Sequence, residues 1–115
     1  MIQSFDKEGM QMWKNIKNPY VDSIEKCVGE YDIRMMYLFP FVKCKVKIYK
    51  KQNGDMYGKL NIKIKNGSTY EQITSFGRKK KEVLINMLEI LIKLSEQYPD
   101  GLDENEIQYL NYWEF

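Results

Sequence analysis

The chain contains no histidine, which removes the commonest general base at neutral pH and the commonest ligand of transition metals. Without histidine, no Ser-His or Cys-His nucleophilic pair can form, and the sequence carries neither a phosphate-binding glycine loop nor a dinucleotide fingerprint. The acidic cluster near the C-terminus lacks the spacing of a calcium loop; it consists of Asp100, Asp103, Glu104 and Glu106. We therefore expect a protein that is not an enzyme and that holds no metal and no cofactor.

Cysteine is scarce, since Cys27 and Cys44 are the only two. Two thiols are too few for a metal cluster, and in a domain of this size they favour a reduced, buried pair, which is typical of the cytoplasm. Residues 1–15 lack the apolar stretch of a signal peptide. The longest uninterrupted apolar run, Met35–Val42, is far shorter than the ~20 residues of a membrane span. We expect a cytoplasmic protein with no membrane partner.

Length and composition fit one small domain. The chain has 115 residues, of which 43% are apolar and 30% charged, so it can bury one core but has little room for a second. The predicted fold class is α+β: a helix, a three-stranded antiparallel meander and a long helix. This α-β-β-β-α core spans residues 18–98 of a single domain covering residues 1–115. An extra N-terminal helical segment (1–17) precedes it, and a short acidic, aromatic tail (99–115) follows.

The apolar pattern before residue 31 predicts two helices. In residues 1–17, apolar side chains recur at roughly helical spacing; they are Phe5, Met10, Trp13 and Ile16. The second helix is predicted from Pro19 to about Glu30, because Pro19 suits a first turn and an i, i+3, i+4 stripe follows it. That stripe consists of Ile24, Cys27 and Val28.

Two glycine turns join the three predicted strands. Asn66-Gly67 is a strong hairpin signal, and as a two-residue turn it sets Leu60 opposite Ile73, Ile62 opposite Glu71 and Lys59 opposite Thr74. The earlier turn works best as a three-residue loop, Gln52-Asn53-Gly54, with Gly54 in the left-handed conformation. A two-residue turn there would mix charged and apolar side chains on both faces. The three-residue loop instead places the apolar positions side by side: Val42, Cys44 and Val46 next to Ile64, Ile62 and Leu60.

The same register collects lysines on the other face of the sheet. This predicted lysine face consists of Lys43, Lys45, Lys47, Lys59, Lys63 and Lys65. It sets Lys47 opposite Lys59 and Lys43 opposite Lys63, and like charges in such pairs destabilise a sheet. A face of this kind must stay wet, be covered by acidic groups such as those of the tail, or be used for binding. Aromatic side chains near this face could stack unpaired bases; they are Tyr49, Tyr57 and Tyr70.

After Gly77, the basic run Arg78–Lys81 leads into a helix predicted to reach about Tyr98. Its apolar arc covers more than half the circumference, so the first helices, the tail or a second subunit must pack on its flank. A homodimer through this helix is one of these alternatives. In the tail, Asp103 and Glu106 resemble a capping box and favour a short helix. Alternating apolar residues from Ile107 onwards favour a strand almost as well, and both readings stay open.

The order of elements from Asn18 to Leu94 resembles the double-stranded-RNA-binding domain. Asn18-Pro19 with Glu25 is similar to that family's opening, and the run Gly77–Glu82 is similar to the glycine and lysines that begin its second helix. The Lys50–Asp55 loop occupies the place of the family's first strand-to-strand loop. The resemblance implies a first helix that touches a minor groove and lysines that span the phosphates of a major groove.

Positive charge is concentrated in the middle of the chain. Between Lys43 and Lys81 there are 12 Lys or Arg residues against Asp55 and Glu71, whereas the segment from Glu82 to Phe115 has 8 acidic residues against Lys93. Segregated charge of this kind indicates a surface that selects its partner.

We therefore predict a non-enzymatic nucleic-acid-binding module that makes sequence-independent phosphate contacts to duplex or single-stranded RNA or DNA. The predicted contact residues are Lys50, Lys51, Arg78, Lys79, Lys80 and Lys81, joined on the sheet by Lys43, Lys45, Lys47, Lys59, Lys63, Lys65 and Tyr70. The alternative is a small protein-binding inhibitor or immunity factor of a mobile element. It would resemble phage anti-CRISPR proteins in its logic and dock on a host nuclease or another charged protein groove.

Overall fold

The computed structural model describes residues 12–35 and 43–115, which form one antiparallel sheet with an α-helix packed on one face. The strands are β1 (Glu25–Arg34), β2 (Lys43–Lys51), β3 (Met56–Asn66), β4 (Thr69–Gly77) and β5 (Ile107–Tyr109). The helix is α1 (Lys80–Gln97), and three 3₁₀ turns cover Met12–Asn15, Glu104–Glu106 and Tyr112–Glu114. The first four strands form a meander in the order β1-β2-β3-β4, and β5 pairs with β3.

The predicted α-β-β-β-α core is wrong: among the described residues the sheet has five strands rather than three, and a strand stands in place of the first helix. The segment from Pro19 to Glu30, predicted as a helix, contains a turn and the first half of β1. In the turn, the Val21 N–H donates to the Asn18 carbonyl at 3.0 Å, and the Tyr20 N–H donates to the Asn18 side chain at 2.9 Å. Pro19 therefore lies inside a turn that Asn18 begins, a role that suits it as well as the start of a helix.

Cross-strand pairing explains why this segment is extended. Glu30 lies opposite Lys47 and Asp32 lies opposite Lys45, so the strand gains opposite-charge pairs that a helix would not provide. The register shifts between Cys27 and Gly29, and a side chain at Gly29 would meet the Tyr31 ring at 2.8 Å. Gly29 therefore accommodates an irregularity of the strand.

The predicted N-terminal helix is also wrong over the part that can be compared, which is a short 3₁₀ turn at Met12–Asn15. Residues 1–11 of that prediction lie outside the described residues. The turn is attached to the β2–β3 loop, because the Gln52 amide donates to the carbonyls of Trp13 at 2.9 Å and Ile16 at 2.8 Å. Trp13 is buried beside this attachment.

The β2–β3 hairpin confirms the three-residue loop. Gly54 has a φ of 98°, the Lys51 N–H donates to the Asp55 carbonyl at 2.8 Å, and Lys47 lies opposite Lys59 as predicted. Positive φ at Gly54 is the conformation that glycine adopts without steric cost. The predicted partner of Leu60, Val46, is also found, whereas Val42 lies outside the described residues.

The predicted Lys43–Lys63 pair is wrong, because β4 and β5 occupy both edges of β3 at Lys63. Lys43 lies opposite Arg34 of β1, and Lys63 lies opposite Gln72 of β4 and Gln108 of β5. β4 pairs with one edge of β3. On the other edge, β2 pairs only as far as Leu60, and β5 pairs with the residues that follow. The change from β2 to β5 occurs at Asn61. Its side chain accepts a hydrogen bond from the Lys45 N–H at 2.9 Å, and its carbonyl accepts one from the Leu110 N–H at 2.8 Å.

The β3–β4 turn differs from the prediction by one residue. Asn66 pairs with Thr69, so Gly67 and Ser68 make the turn, and Gly67 has a φ of 67°. The pairing near the turn is therefore displaced by two residues, and the predicted pair Ile62–Glu71 is wrong because Ile64 lies opposite Glu71; Leu60 falls within an irregular part of the ladder. An even displacement keeps each side chain on its face. Beyond a register shift between Lys59 and Lys63, the predicted Lys59–Thr74 pair is found.

The core lies between the sheet and α1, whose bounds agree with the predicted long helix. Val83, Met87 and Leu91 are fully buried, and the sheet contributes Cys44, Val46, Ile48, Leu60 and Ile62. On the outer side of α1, Ile85 and Ile92 stay about half exposed. A homodimer through this side remains a prediction. Nowhere in the described ranges is a helix long and apolar enough to cross a membrane.

The tail uses both of its predicted conformations in succession. Asp103 and Glu106 form the capping box around a 3₁₀ turn, and the chain then extends as β5. A second capping box, Asn111 with Glu114, begins the last 3₁₀ turn. The tail thereby crosses the sheet edge and reaches the face that carries the lysines.

Candidate nucleic-acid interface

Three lysines of β2 lie on the sheet face away from α1, hereafter the open face: Lys43, Lys45 and Lys47. Carboxylates of β1 already neutralise two of them. Lys43 lies 3.5 Å from an Asp32 oxygen, and Lys45 lies 3.7 Å from Asp32 and 4.0 Å from Glu30. These ion pairs are partly exposed, so each contributes little to stability. They nevertheless place negative charge beside two of the three lysines on this half of the face.

Lys47 is covered by the tail and is 5% exposed. Its ammonium donates to the main-chain oxygens of Tyr112 and, at 3.2 Å, Phe115. It also lies 3.5 Å from the centroid of the Tyr112 ring and 4.2 Å from that of the Phe115 ring, where the negative face of each ring attracts it. Lys47 is therefore not available to an outside ligand.

The cover over Lys47 consists of aromatic rings and main-chain oxygens rather than acidic side chains. Hydrogen bonding to the Glu30 carboxylate, followed by its negative charge, raises the pKa of the Tyr112 phenol. The Tyr49 hydroxyl donates to the main-chain oxygen of Phe115 at 2.6 Å, and burial raises its pKa. Cover by the acidic tail was one of the alternatives predicted for the lysine face; in the structure β1 supplies the carboxylates, and the tail supplies rings and carbonyls.

The lysines of β3 keep more freedom. Over the described part of the chain, no carboxylate lies within 4 Å of the ammonium groups of Lys59, Lys63 or Lys65. The Lys59 ammonium lies 5.8 Å from the Tyr49 ring centroid and 5.7 Å from that of Tyr57. Tyr70, predicted to contact a ligand, instead donates its hydroxyl to the Asn105 carbonyl at 2.8 Å.

A second cationic region lies where β2 ends and α1 begins. Lys51 and Arg78 line one pocket of about 390 Å³, together with Phe76, Met56 and Gly77. The acidic side chains of Asp55 and Glu82 line the same pocket, but neither comes within 4 Å of a cation in the described ranges. The hairpin tip and the start of the helix, 26 residues apart in sequence, therefore meet.

On the opposite face of β2 from Lys51, Lys50 has other lysines as neighbours. Lys26 lies directly opposite it across β1 and β2, and Lys14 and Lys80 are close enough to influence its charge. Interaction with the Lys14 side chain, followed by desolvation and the charges of Lys14, Lys26 and Lys80, lowers the pKa of the Lys50 ammonium. We define the cationic end as Lys14, Lys26, Lys50, Lys51, Arg78, Lys79, Lys80 and Lys81.

The structure thus unites two of the three basic features predicted from the sequence. Lys51 and Arg78 line one pocket and Lys80 lies near Lys50, so the hairpin tip and the start of α1 meet at one end of the sheet. Lys43, Lys45 and Lys47 are paired or covered. Sequence reasoning missed Lys14 and Lys26, because the segments that carry them were assigned to helices. It also missed Phe76, although alternation along β4 places Phe76 on the same face as Thr74 and Tyr70.

The two cysteines differ in their exposure. Cys27 is exposed and Cys44 is buried, and both are free, so the predicted buried pair is wrong for Cys27. Burial raises the pKa of the Cys44 thiol from 9.0 to about 11. Within residues 12–35 and 43–115, no group of three histidine, cysteine, aspartate or glutamate side chains could hold a metal ion.

Comparison of the chain with protein-family models, with curated proteins and with solved structures finds no match.

Proposed function

We propose that the chain is a non-enzymatic nucleic-acid-binding module that contacts phosphates, independently of sequence, through the cationic end. One observation supports this above the others: cations from β1, β2, the first 3₁₀ turn and the start of α1 converge on one surface. None of them lies within 4 Å of a carboxylate among the described residues.

An uncompensated cluster of this kind has a physical cost. The like charges of Lys26 and Lys50, directly opposite each other, destabilise the sheet. Lys80 and Lys81 lie at the N-terminus of α1, where the helix dipole makes cations unfavourable. An anionic ligand removes both penalties at once, so bound phosphates stabilise the folded protein. Arg78 is able to grip a phosphate through two parallel hydrogen bonds, and the lysines act as point charges.

The proposal does not depend on the double-stranded-RNA-binding arrangement. That resemblance requires a first helix before the sheet, and the chain has a turn and β1 there. Phosphate contact is instead assigned to the cationic end, with Lys59 and Lys63 as further cations on the open face. The proposal includes a cytoplasmic location, which the exposed free thiol of Cys27 supports because such thiols are typical of reducing compartments.

Salt dependence tests the proposal. Affinity for a fluorescent 12-nucleotide oligonucleotide should fall steeply as salt is raised, because each neutralised phosphate releases counterions. Replacing Lys79, Lys80 and Lys81 by alanine should lower the slope of log affinity against log salt by about 2, at roughly 0.7 per contact on a single strand. Lys93→Ala is the matched control, since Lys93 is an exposed lysine of α1 outside the cationic end.

The outcomes separate the proposal from its alternative. No binding at low salt, or equal slopes for the triple variant and the control, would refute phosphate contact at this surface. Pull-down from a cell extract with and without nuclease treatment adds a second readout. A protein partner that survives nuclease treatment would instead favour the inhibitor or immunity factor.

A further inference from the structure

We infer that the open face takes single-stranded nucleic acid, with an unpaired base stacked on Phe76. This inference rests on the proposed function and specifies its ligand. Phe76 is 63% exposed and lies on the open face, because it pairs with Tyr57 across β3 and β4. Phe76 is the second-to-last residue of β4, and most of its apolar ring surface is open to solvent and therefore to a stacking partner.

Phe76 ends a row of aromatic rings that crosses three neighbouring strands. Tyr49 lies opposite Tyr57, and their rings stack with centroids 5.5 Å apart and planes inclined by 24°. The Tyr57 hydroxyl donates to Glu25, which holds the ring in place, and burial and this hydrogen bond raise the pKa of the phenol. Because neighbouring strands lie about 4.8 Å apart and Phe76 pairs with Tyr57, the three side chains form an aromatic strip on one face of the sheet, within which the Tyr49 and Tyr57 rings stack.

Cations flank this strip on both sides along the strands. The ammonium of Lys51 lies 5.6 Å from the Tyr57 ring centroid, on the side of the β2–β3 loop. The ammonium of Lys59 lies 5.7 Å from the same centroid, on the side away from that loop. Arg78 shares the pocket of about 390 Å³ with Phe76 and Lys51. Flat apolar rings bordered by cations match a strand whose bases are apolar on their faces and whose phosphates are negative.

The arrangement favours a single strand over a duplex. In a duplex both faces of each base are occupied by stacking, so an exposed ring on a sheet has nothing to stack on. An unpaired base offers its face freely, and base–aromatic stacking tolerates any sequence because every base has a π-face. The cations contribute affinity in either case, whereas Phe76 contributes only when bases are unpaired.

The experiment compares ligands that differ in bases but share phosphates. Fluorescence anisotropy at fixed salt is measured with a labelled dT12 strand, a 12-unit abasic strand and a 12-base-pair duplex. We expect dT12 to bind more tightly than the other two. Phe76→Leu should weaken dT12 binding about tenfold, within the 1–3 kcal/mol that stacking supplies per base, and should leave abasic binding and the salt slope unchanged. A labelled rU12 strand tests whether RNA behaves as DNA does.

Two control variants keep the test decisive. Phe76→Tyr retains the ring and should bind dT12 like the unmodified protein, while Ile85→Leu changes an exposed apolar residue on the opposite side of the molecule. Equal binding of dT12 and the abasic strand, tighter binding of the duplex, or full affinity in Phe76→Leu would overturn the inference. In each of those cases, salt-dependent binding to the abasic strand would still support the proposed function, so the two failures are distinguishable.

Discussion

Replacing Lys47 by alanine should release the tail from the open face. The ammonium of Lys47 holds two main-chain oxygens and lies against two rings, of Tyr112 and Phe115. A desolvated cation–π contact is worth about 2 kcal/mol, and hydrogen bonds from a charged donor are worth about 1.5–3 kcal/mol. Freed backbone entropy offsets part of this loss, so we expect the docked tail to lose about 3 kcal/mol.

A loss of this size is measurable as a change in how often the tail opens. At 1.4 kcal/mol per factor of ten, the open fraction should rise roughly 100-fold. Chymotrypsin, which cleaves beside aromatic residues, reports this fraction at Tyr112 and Trp113 when opening is fast relative to cleavage. Hydrogen exchange at the Leu110 amide, which donates to Asn61 at 2.8 Å, gives a second measurement of the same opening.

Lys65→Ala is the matched control, because Lys65 is an exposed lysine of the same face with no carboxylate within 4 Å among the described residues. Its cleavage rate should equal that of the unmodified protein. An unchanged rate in Lys47→Ala, or the same acceleration in both variants, would refute the argument that this one ammonium group holds the tail.

Two further changes test the core. Cys27 should react at once with a thiol reagent, and Cys44 only on unfolding. Because folding raises the pKa of Cys44 from 9.0 to about 11, the unfolded thiol ionises first as pH rises, and this contribution to stability is lost between pH 9 and 11. Urea titrations should show the unmodified protein losing up to about 2.7 kcal/mol more than Cys44→Ala over that range; equal losses would contradict this. Gly58→Ala should destabilise the fold by about 1–3 kcal/mol, because its Cβ would meet Val83 Cγ1 at 2.9 Å; an unchanged urea midpoint would show that the contact relaxes.

The sequence was informative where a local rule and the apolar pattern agreed. The β2–β3 register followed from requiring one apolar face, and Gly54 then had to be left-handed. The bounds of α1 followed from its periodic apolar residues. In each case, short-range information was enough, because the turn or helix contains the residues that determine it.

The sequence failed where distant residues decide the conformation. Ile24, Cys27 and Val28 fit a helical stripe, yet the strand forms because Glu30 and Asp32 can face the lysines of β2. The local pattern of residues 19–30 does not indicate that β2 will be their partner. The same limit applies to the candidate site, since the cationic end exists only because β1 and the first 3₁₀ turn bring lysines to the β2–β3 hairpin.

The placement of Lys47 beneath aromatic rings also bears on how this sequence can evolve. Lys47 sits opposite Lys59, and the pair is tolerated because one of the two ammonium groups turns away under the tail. Losing the ring at Tyr112 would expose that repulsion, and a neutral residue at position 47 would leave the ring without a cation. Descendants of this sequence should therefore keep or abandon positions 47, 112 and 115 as a unit, although 65 residues separate the first two along the chain.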